Sequence, residues 1–501
     1  MLKSSKRYPD VEDGMYRARF SKPLKPDVAK FVSSVEEDAR IFEADVLGSI
    51  AHVKMLGERG YIPEREARSI IVALADILRD FKRGKVRLSP EHEDVHELVE
   101  ALLVKRVGLK VGGKMHMGRS RNDQVALDLR IFARREIVEV CRLINKLQRT
   151  LLELAGRHVD TIIPLYTHTQ QAQVGSLGHY LLYCRDMLRR DLDRLLDCYR
   201  RVNESPLGAC AVGGTSFKLD RVRTAKLLGF DGLVENSIDA VSSRDFAVEC
   251  IANLAILMAN LSRMAEDLIL WSSQEFGYIE IADEYASPSS VMPQKKNPCS
   301  LELIRARSGK VYGSLLRLLT LLKGIPMGYN RDLQESKPPL WESFDVAKSS
   351  LAVMDGVYAT LRVNADSFAK GCEKGFLTAL DLAEVIVREA GISFREAHAI
   401  VGKLVKSKSE SGKTFRDVTA EELTKMVEEV SGKVVDGIYL KAALDPYKAL
   451  RSRVSRGSPS PAETMRMVRQ RKRELRKYSR RIEALERRER EVEEKLTQGC
   501  F

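Results

Sequence analysis

The sequence predicts an all-α protein: a three-domain subunit with a central long-helix bundle that assembles into an oligomeric helical core. Three observations predict it. Apolar residues recur at helical spacing over stretches longer than an ordinary globular helix, as in Val125, Leu129, Phe132, Ile137, Val140, Ile144, Leu147, Leu151 and Leu154. Strand signals are scarce, and no strand–GxGxxG–helix unit is visible, which disfavours a dinucleotide-binding fold. The long helices carry apolar residues round much of their circumference, more than one chain can bury alone.

Residues 1–115 read as an N-terminal helical domain, with amphipathic helices over 39–56 and 64–81 and another starting after Pro90. There His92-Glu93-Asp94-Val95-His96 matches the zinc-peptidase pattern His-Glu-x-x-His. Five residues match by chance, no third ligand is in prospect, and a metal is not expected. Residues 116–363 read as the central bundle. Its first rod runs from Gln124 to about Gly156, its second from about Val174 to Val202, its third from 242–245 to about Phe276. A glycine-rich connector holds Gly208, Gly213 and Gly214.

The loop 287–298 precedes the fourth rod. Asn297-Pro298 reads as a helix start, Asn capping and Pro at the first helical position. Lysines, serine hydroxyls and an Asn beside a helix N-terminus make an anion-receptive end. A fifth helix spans about 341–361, and residues 364–450 read as a small C-terminal helical domain. Residues 451–501 form a charged helical tail. In it Val468, Leu475, Ile482 and Leu496 share one heptad position, a possible short coiled coil or a seam against a neighbouring helix.

The net charge of +13 allows nucleic acid, an anionic small substrate or simple solubility. From Ala462 to Thr497 thirteen Lys/Arg meet eight Glu, so the tail supplies +5. Without stacking aromatics it is a poor nucleic-acid platform, and its deletion is expected to spare catalysis. Eight scattered cysteines lack a Cys-x-x-Cys pair and read as reduced thiols. Met1–Tyr8 lacks a signal-peptide core and no unbroken apolar run approaches membrane length, so a cytoplasmic protein without a membrane partner is expected.

Ser289-Ser290-Val291-Met292-Pro293-Gln294-Lys295-Lys296-Asn297-Pro298 resembles the signature of the fumarase/aspartase superfamily. Ser300 to Arg305, the run His116-x-Gly118-Arg119-Ser120-Arg121-Asn122-Asp123-Gln124, Thr167-His168, the stretch 329–337 and Phe394 to His398 resemble its argininosuccinate lyase branch. That resemblance implies elimination of fumarate from argininosuccinate, no cofactor, and a homotetramer whose sites are shared between chains. The next alternative is another fumarate-releasing lyase, such as adenylosuccinate lyase.

The resemblance nominates Ser289, His168 and Lys295 as catalytic groups. It nominates Ser34, Arg121, Asn122, Thr167, Asn297, Tyr329, Gln334 and Lys337 as substrate-binding, with Arg244 a further carboxylate holder and Asp94 in the surrounding polar network. Met117 stands where the family has Thr, Thr169 and Gln171 where it has Leu and Arg, and Pro288 where it has Gly. Geometry adds one deduction. Residues 116–123 and 166–173 flank a rod tens of ångströms long, so a site using both draws them from different subunits.

Overall fold

The computed structural model describes Arg19 and residues 22–498; Met1–Tyr8 and Cys500 lie outside them. Helices α1 (Phe42–Glu58), α2 (Glu64–Lys82) and α3 (Val95–Val107) form the N-terminal group. The third starts later than the sequence suggests. Asp94 accepts the Glu97 N–H at 2.8 Å and so caps the helix, leaving 89–94 as turns. His92 therefore precedes the helix, and the one-face geometry of a His-Glu-x-x-His zinc site does not arise.

The bundle consists of α4 (Arg121–Arg157), α5 (Leu177–Val202), α6 (Asp245–Ser272), α7 (Cys299–Leu322) and α8 (Lys337–Thr360). At 1.5 Å per residue, α4 is a rod of about 55 Å. It begins three residues before the expected Gln124 because Ser120 and Asp123 form a reciprocal capping box. Directions alternate along the chain. Arg134 in the first half of α4 donates to Asn203 just past the end of α5, and Arg201 at the end of α5 donates to Glu249 near the start of α6. Helix α8 runs beside α4 in the same sense, since Trp341 meets Phe132 and Asp355 meets Thr150.

Helix α6 is long and apolar enough to cross a membrane by length and composition, although Glu249 and Asn253 interrupt its apolar run. Its apolar faces are spent on α5, α7 and α8 instead. Helix α8 starts four residues before the expected Trp341, with Pro338 and Pro339 in the first turn, where a missing N–H costs nothing. The cap expected of Asn297 is not made. Its backbone pairs with Ser287 in a two-residue ladder, so it is extended, Pro298 takes the cap position and the helix begins at Cys299.

A β-hairpin was not foreseen. Strands β1 (Ile162–Thr167) and β2 (Gln170–Ser176) pair antiparallel, with a register shift between Leu165 and Tyr166. The second rod thus begins at Leu177, not Val174. The weak strand alternation of these two segments leaves no period-2 signal in the sequence.

Helix α9 (Ala365–Glu373) packs on β1 and puts Phe368 into the main core. Beyond it, α10 (Ala379–Ala390), α11 (Phe394–Glu410) and α12 (Ala420–Ser431) enclose a separate apolar core that includes Leu382, Ile386, Ile400, Leu404 and Leu423. The last helix, α13 (Pro461–Thr497), lies antiparallel along α4. Val468 reaches Gly156, Ser479 receives the Asn145 amide and Glu489 pairs with Arg134. Its heptad residues Val468, Leu475, Ile482 and Leu496 are buried in the main core, so the seam is intramolecular.

Candidate active site

Four separate stretches converge at the N-terminal end of α4 around a cavity of about 310 Å³. Ser34, Arg121, Asn122, Tyr329, Gln334 and Lys337 all line it, six of the eight nominated binding residues. The capping box fixes Arg121 and Asn122 in the first turn of α4. The Asn122 amide donates to the Ala211 carbonyl at 2.9 Å. Lys337, in the first turn of α8, is buried; its ammonium donates to Ser34 Oγ at 3.1 Å and pairs with Asp38. Ser34 Oγ in turn donates to Asp38 at 2.7 Å.

At the mouth, Glu93 stands between two guanidiniums, 2.8 Å from Arg331 and 3.4 Å from Arg121. Asp94 lies 3.4 Å from Arg121 as well. The lining thus alternates in sign, which suits a zwitterionic ligand with both ammonium and carboxylate groups. Burial pushes the Tyr329 phenol up, so it stays a neutral donor. Arg244 is buried and, among the described residues, donates only to the carbonyls of Val241 and Ser243. Burial lowers its pKa to about 10.

Beneath the cavity, His96 Nδ1 lies 2.9 Å from Asp45 and 3.6 Å from Asp128, all three buried. Burial alone would lower the imidazole pKa, but the carboxylates of Asp45, Asp94 and Asp128 outweigh it and raise it to about 9. The donor atoms of Asp45, His96 and Asp128 are close enough together to surround a cation, and the imidazolium supplies that positive charge itself. Two neighbours behave oppositely. Burial and Arg119 hold His52 at about 3 and His116 at about 4, both neutral.

The other nominated residues lie elsewhere. Thr167 and His168 are at the hairpin tip, beyond the far end of α4. His168 (φ 53°) and Thr169 (φ 59°) occupy the left-handed region, as a tight two-residue hairpin turn requires. For a β-branched threonine this is a strained place, and strain of that kind gathers at functional sites. The Thr169 hydroxyl donates to the His168 carbonyl at 2.6 Å, and Gln171 ties the hairpin to the Gly371 carbonyl of α9 at 3.1 Å.

Ser289, Lys295 and Asn297 are on the loop before α7. That loop abuts Gly356 through Tyr285, nineteen residues along α8 from Lys337, about 28 Å at helical rise. Ser289 Oγ accepts the N–H groups of Val291 (3.3 Å) and Met292 (3.0 Å). Lys295 is exposed and Val291 is 82% exposed, so the loop stands open. Neighbouring Lys296 is engaged with Glu280 (3.0 Å) and Asp283 (2.6 Å).

One chain therefore does not bring Ser289, His168 and Asn122 together. Sequence reasoning missed Asp38 and Arg331 as lining residues. The Ser34-to-Asp38 spacing of one helical turn hinted at the first. Nothing local links Arg331 to Glu93, 238 positions away.

A sequence family described as Lyase matches residues 18–313, and one described as Argininosuccinate lyase C-terminal matches residues 376–449. An argininosuccinate lyase of Carboxydothermus hydrogenoformans is 45% identical over 456 residues, 91% of this chain and 98% of that one. Another, from Desulforudis audaxviator, is 47% identical over 452 residues, 90% and 96% respectively. Among solved structures, EDDS lyase in complex with formate superposes with a TM-score of 0.82 at 31% identity, covering 95% of each chain.

Proposed function

The chain belongs to the argininosuccinate lyase family, and from that premise we propose how it cleaves argininosuccinate into arginine and fumarate: at sites assembled from three subunits of a homotetramer. The observation that carries the proposal is the cavity, which collects six nominated binding residues yet none of the nominated catalytic groups Ser289, His168 and Lys295. A chain with binding groups at one end of a long bundle and reactive groups at the other completes its site by packing against copies of itself. Exposed apolar residues on α7, namely Leu303, Tyr312, Leu316 and Leu319, supply a surface for that packing.

In this scheme the arginine end of the substrate rests against Ser34, Gln334 and Lys337, and its succinyl end reaches Asn122 and Tyr329. A second subunit contributes Thr167 and His168, a third Ser289, Lys295 and Asn297. Ser289, as alkoxide, takes the proton from the carbon beside a succinyl carboxylate. Two backbone N–H groups already point at its oxygen, and Lys295 adds positive charge, which together make an alkoxide tenable. The electron pair first enters the carboxylate, held by Lys295 and Asn297. It then forms the fumarate double bond as the carbon–nitrogen bond breaks. His168 delivers a proton to the departing guanidino nitrogen. The scheme draws on no metal or cofactor. A cytoplasmic location accords with the free thiols of the seven described cysteines.

The test is direct. Purified protein given argininosuccinate should produce fumarate, followed by its ultraviolet absorbance, and should leave adenylosuccinate untouched; silence on argininosuccinate sinks the reading. Ser289→Ala and His168→Asn should each lower kcat by about a thousandfold or more. Mixing the two inactive variants after partial dissociation should restore activity, because some reassembled sites draw both intact groups from different chains.

A further inference from the structure

Between α5 and α6 runs a glycine-rich stretch, residues 206–214, to which the scheme above gives no role. Its base is firmly tied. Arg221 donates to the carbonyls of Leu207 (3.0 Å) and Pro206 (3.3 Å). Ala209 is buried against Val234, Ala240 and Val241. The buried carboxylate of Asp123 accepts the N–H groups of Gly208 (3.0 Å) and Cys210 (2.8 Å) on one oxygen, and that of Ser120 (3.0 Å) on the other.

The tip is different. Ala211, Val212 and Gly213 are exposed, and the Gly214 N–H closes the loop on the Ala209 carbonyl at 3.0 Å. A Cβ on Gly213 or Gly214 would meet nothing within 4 Å. Cys210 sits at φ 56°, a strained entry to the tip. The tip nevertheless touches the cavity lining twice. The Ala211 carbonyl holds the amide of Asn122, and Val212 lies over Gly328, directly before Tyr329, 3.5 Å from where a Cβ would project.

We propose that residues 206–214 form an adjustable rim of the substrate site and that Asp123 is the positioning residue that sets it. The inference rests on the functional reading above for the identity of the substrate. Substrate that recruits the Asn122 amide hydrogen now held by Ala211 releases that carbonyl and lets the tip shift about Gly213–Gly214. Asp123 holds the base still during that shift, because its two oxygens join the start of α4 to the loop. An amide in its place turns an N–H donor toward other N–H donors and loses one side of the tie.

Asp123→Asn in the full-length protein tests this. KM for argininosuccinate should rise about tenfold with kcat within about threefold of wild type. Backbone amides across 206–214 should exchange with deuterium faster, and arginine plus fumarate should slow them less than in wild type. Asp123→Glu, which keeps the charge, should recover part of the KM loss. A wild type inactive on argininosuccinate brings down the functional reading. An active wild type whose Asp123→Asn variant keeps KM and exchange unchanged, or loses only kcat, overturns the rim. Should that variant fail to fold, Val212→Ala, at an exposed position, decides: KM about threefold higher supports the rim, and an unchanged KM overturns it.

Discussion

His96 sits beneath the cavity between two buried carboxylates, and its positive charge is what makes their burial tolerable. An ion buried without compensation costs several kcal/mol, so the imidazolium offsets Asp45, while burial and the Asp45 charge push the Asp128 carboxyl well up, toward its neutral form. In the folded protein its pKa is raised to about 9, against an ordinary value of about 6.5. The stabilisation is therefore fully present below about pH 6.5 and is lost as pH rises through about 9. His52 and His116, neutral when folded, weaken the protein only as pH falls below about 6.5, while the raised Asp128 carboxyl loses stabilisation with rising pH in the same direction as His96. The urea midpoint should decline between about pH 6.5 and 9.5, and His96→Gln should flatten the decline. At this scale legibility depended on distance along the chain. The Ser120–Asp123 cap is three residues wide and readable; the Lys337–Asp38 pair joins positions 299 apart, and only the fold joins them.

Among elements, α13 changes most between sequence and structure. Its charges suggested a solvated tail dispensable for catalysis, but half its role is internal. Arg134 and Arg185, each buried to 1% side-chain exposure, pair with its Glu489 (2.5 Å) and Glu474 (3.0 Å). Deleting 462–501 would uncover the apolar faces of α4 and α5 and strand those guanidiniums. Glu489→Gln alone should cost about 3 kcal/mol, read as a lower urea midpoint, because one partner of a buried pair is removed. A protein that loses the whole helix yet unfolds at the same denaturant concentration would contradict this account. Helical periodicity made the rods legible because period 3.6 repeats many times in each. The hairpin escaped because each strand has six or seven residues and its turn uses His168-Thr169 where Asn-Gly would have announced it.

For the whole molecule, the binding groups and the proposed reactive groups lie at opposite ends of the bundle, so assembly and activity should fail together. Leu316 is 66% exposed on α7 within one chain. Leu316→Arg should give a smaller species by light scattering, with helical circular dichroism retained and turnover lost. A fully active monomer would end the shared-site proposal.

The sequence by itself determined the helical class, the rods and their apolar faces, and the chemical identity of the groups at issue, since periodicity and short motifs are local properties of a chain. It also implied the separation of the two ends, because helix length follows from residue count. Only the tertiary structure decided that Ser34, Asn122, Tyr329 and Lys337 share one cavity, that His96 carries the charge beneath it, that residues 206–214 edge it, and that the charged tail is a core helix. Those outcomes turn on contacts between residues tens to hundreds of positions apart. Such contacts are set by how helices cross and what they bury, and no local pattern encodes them.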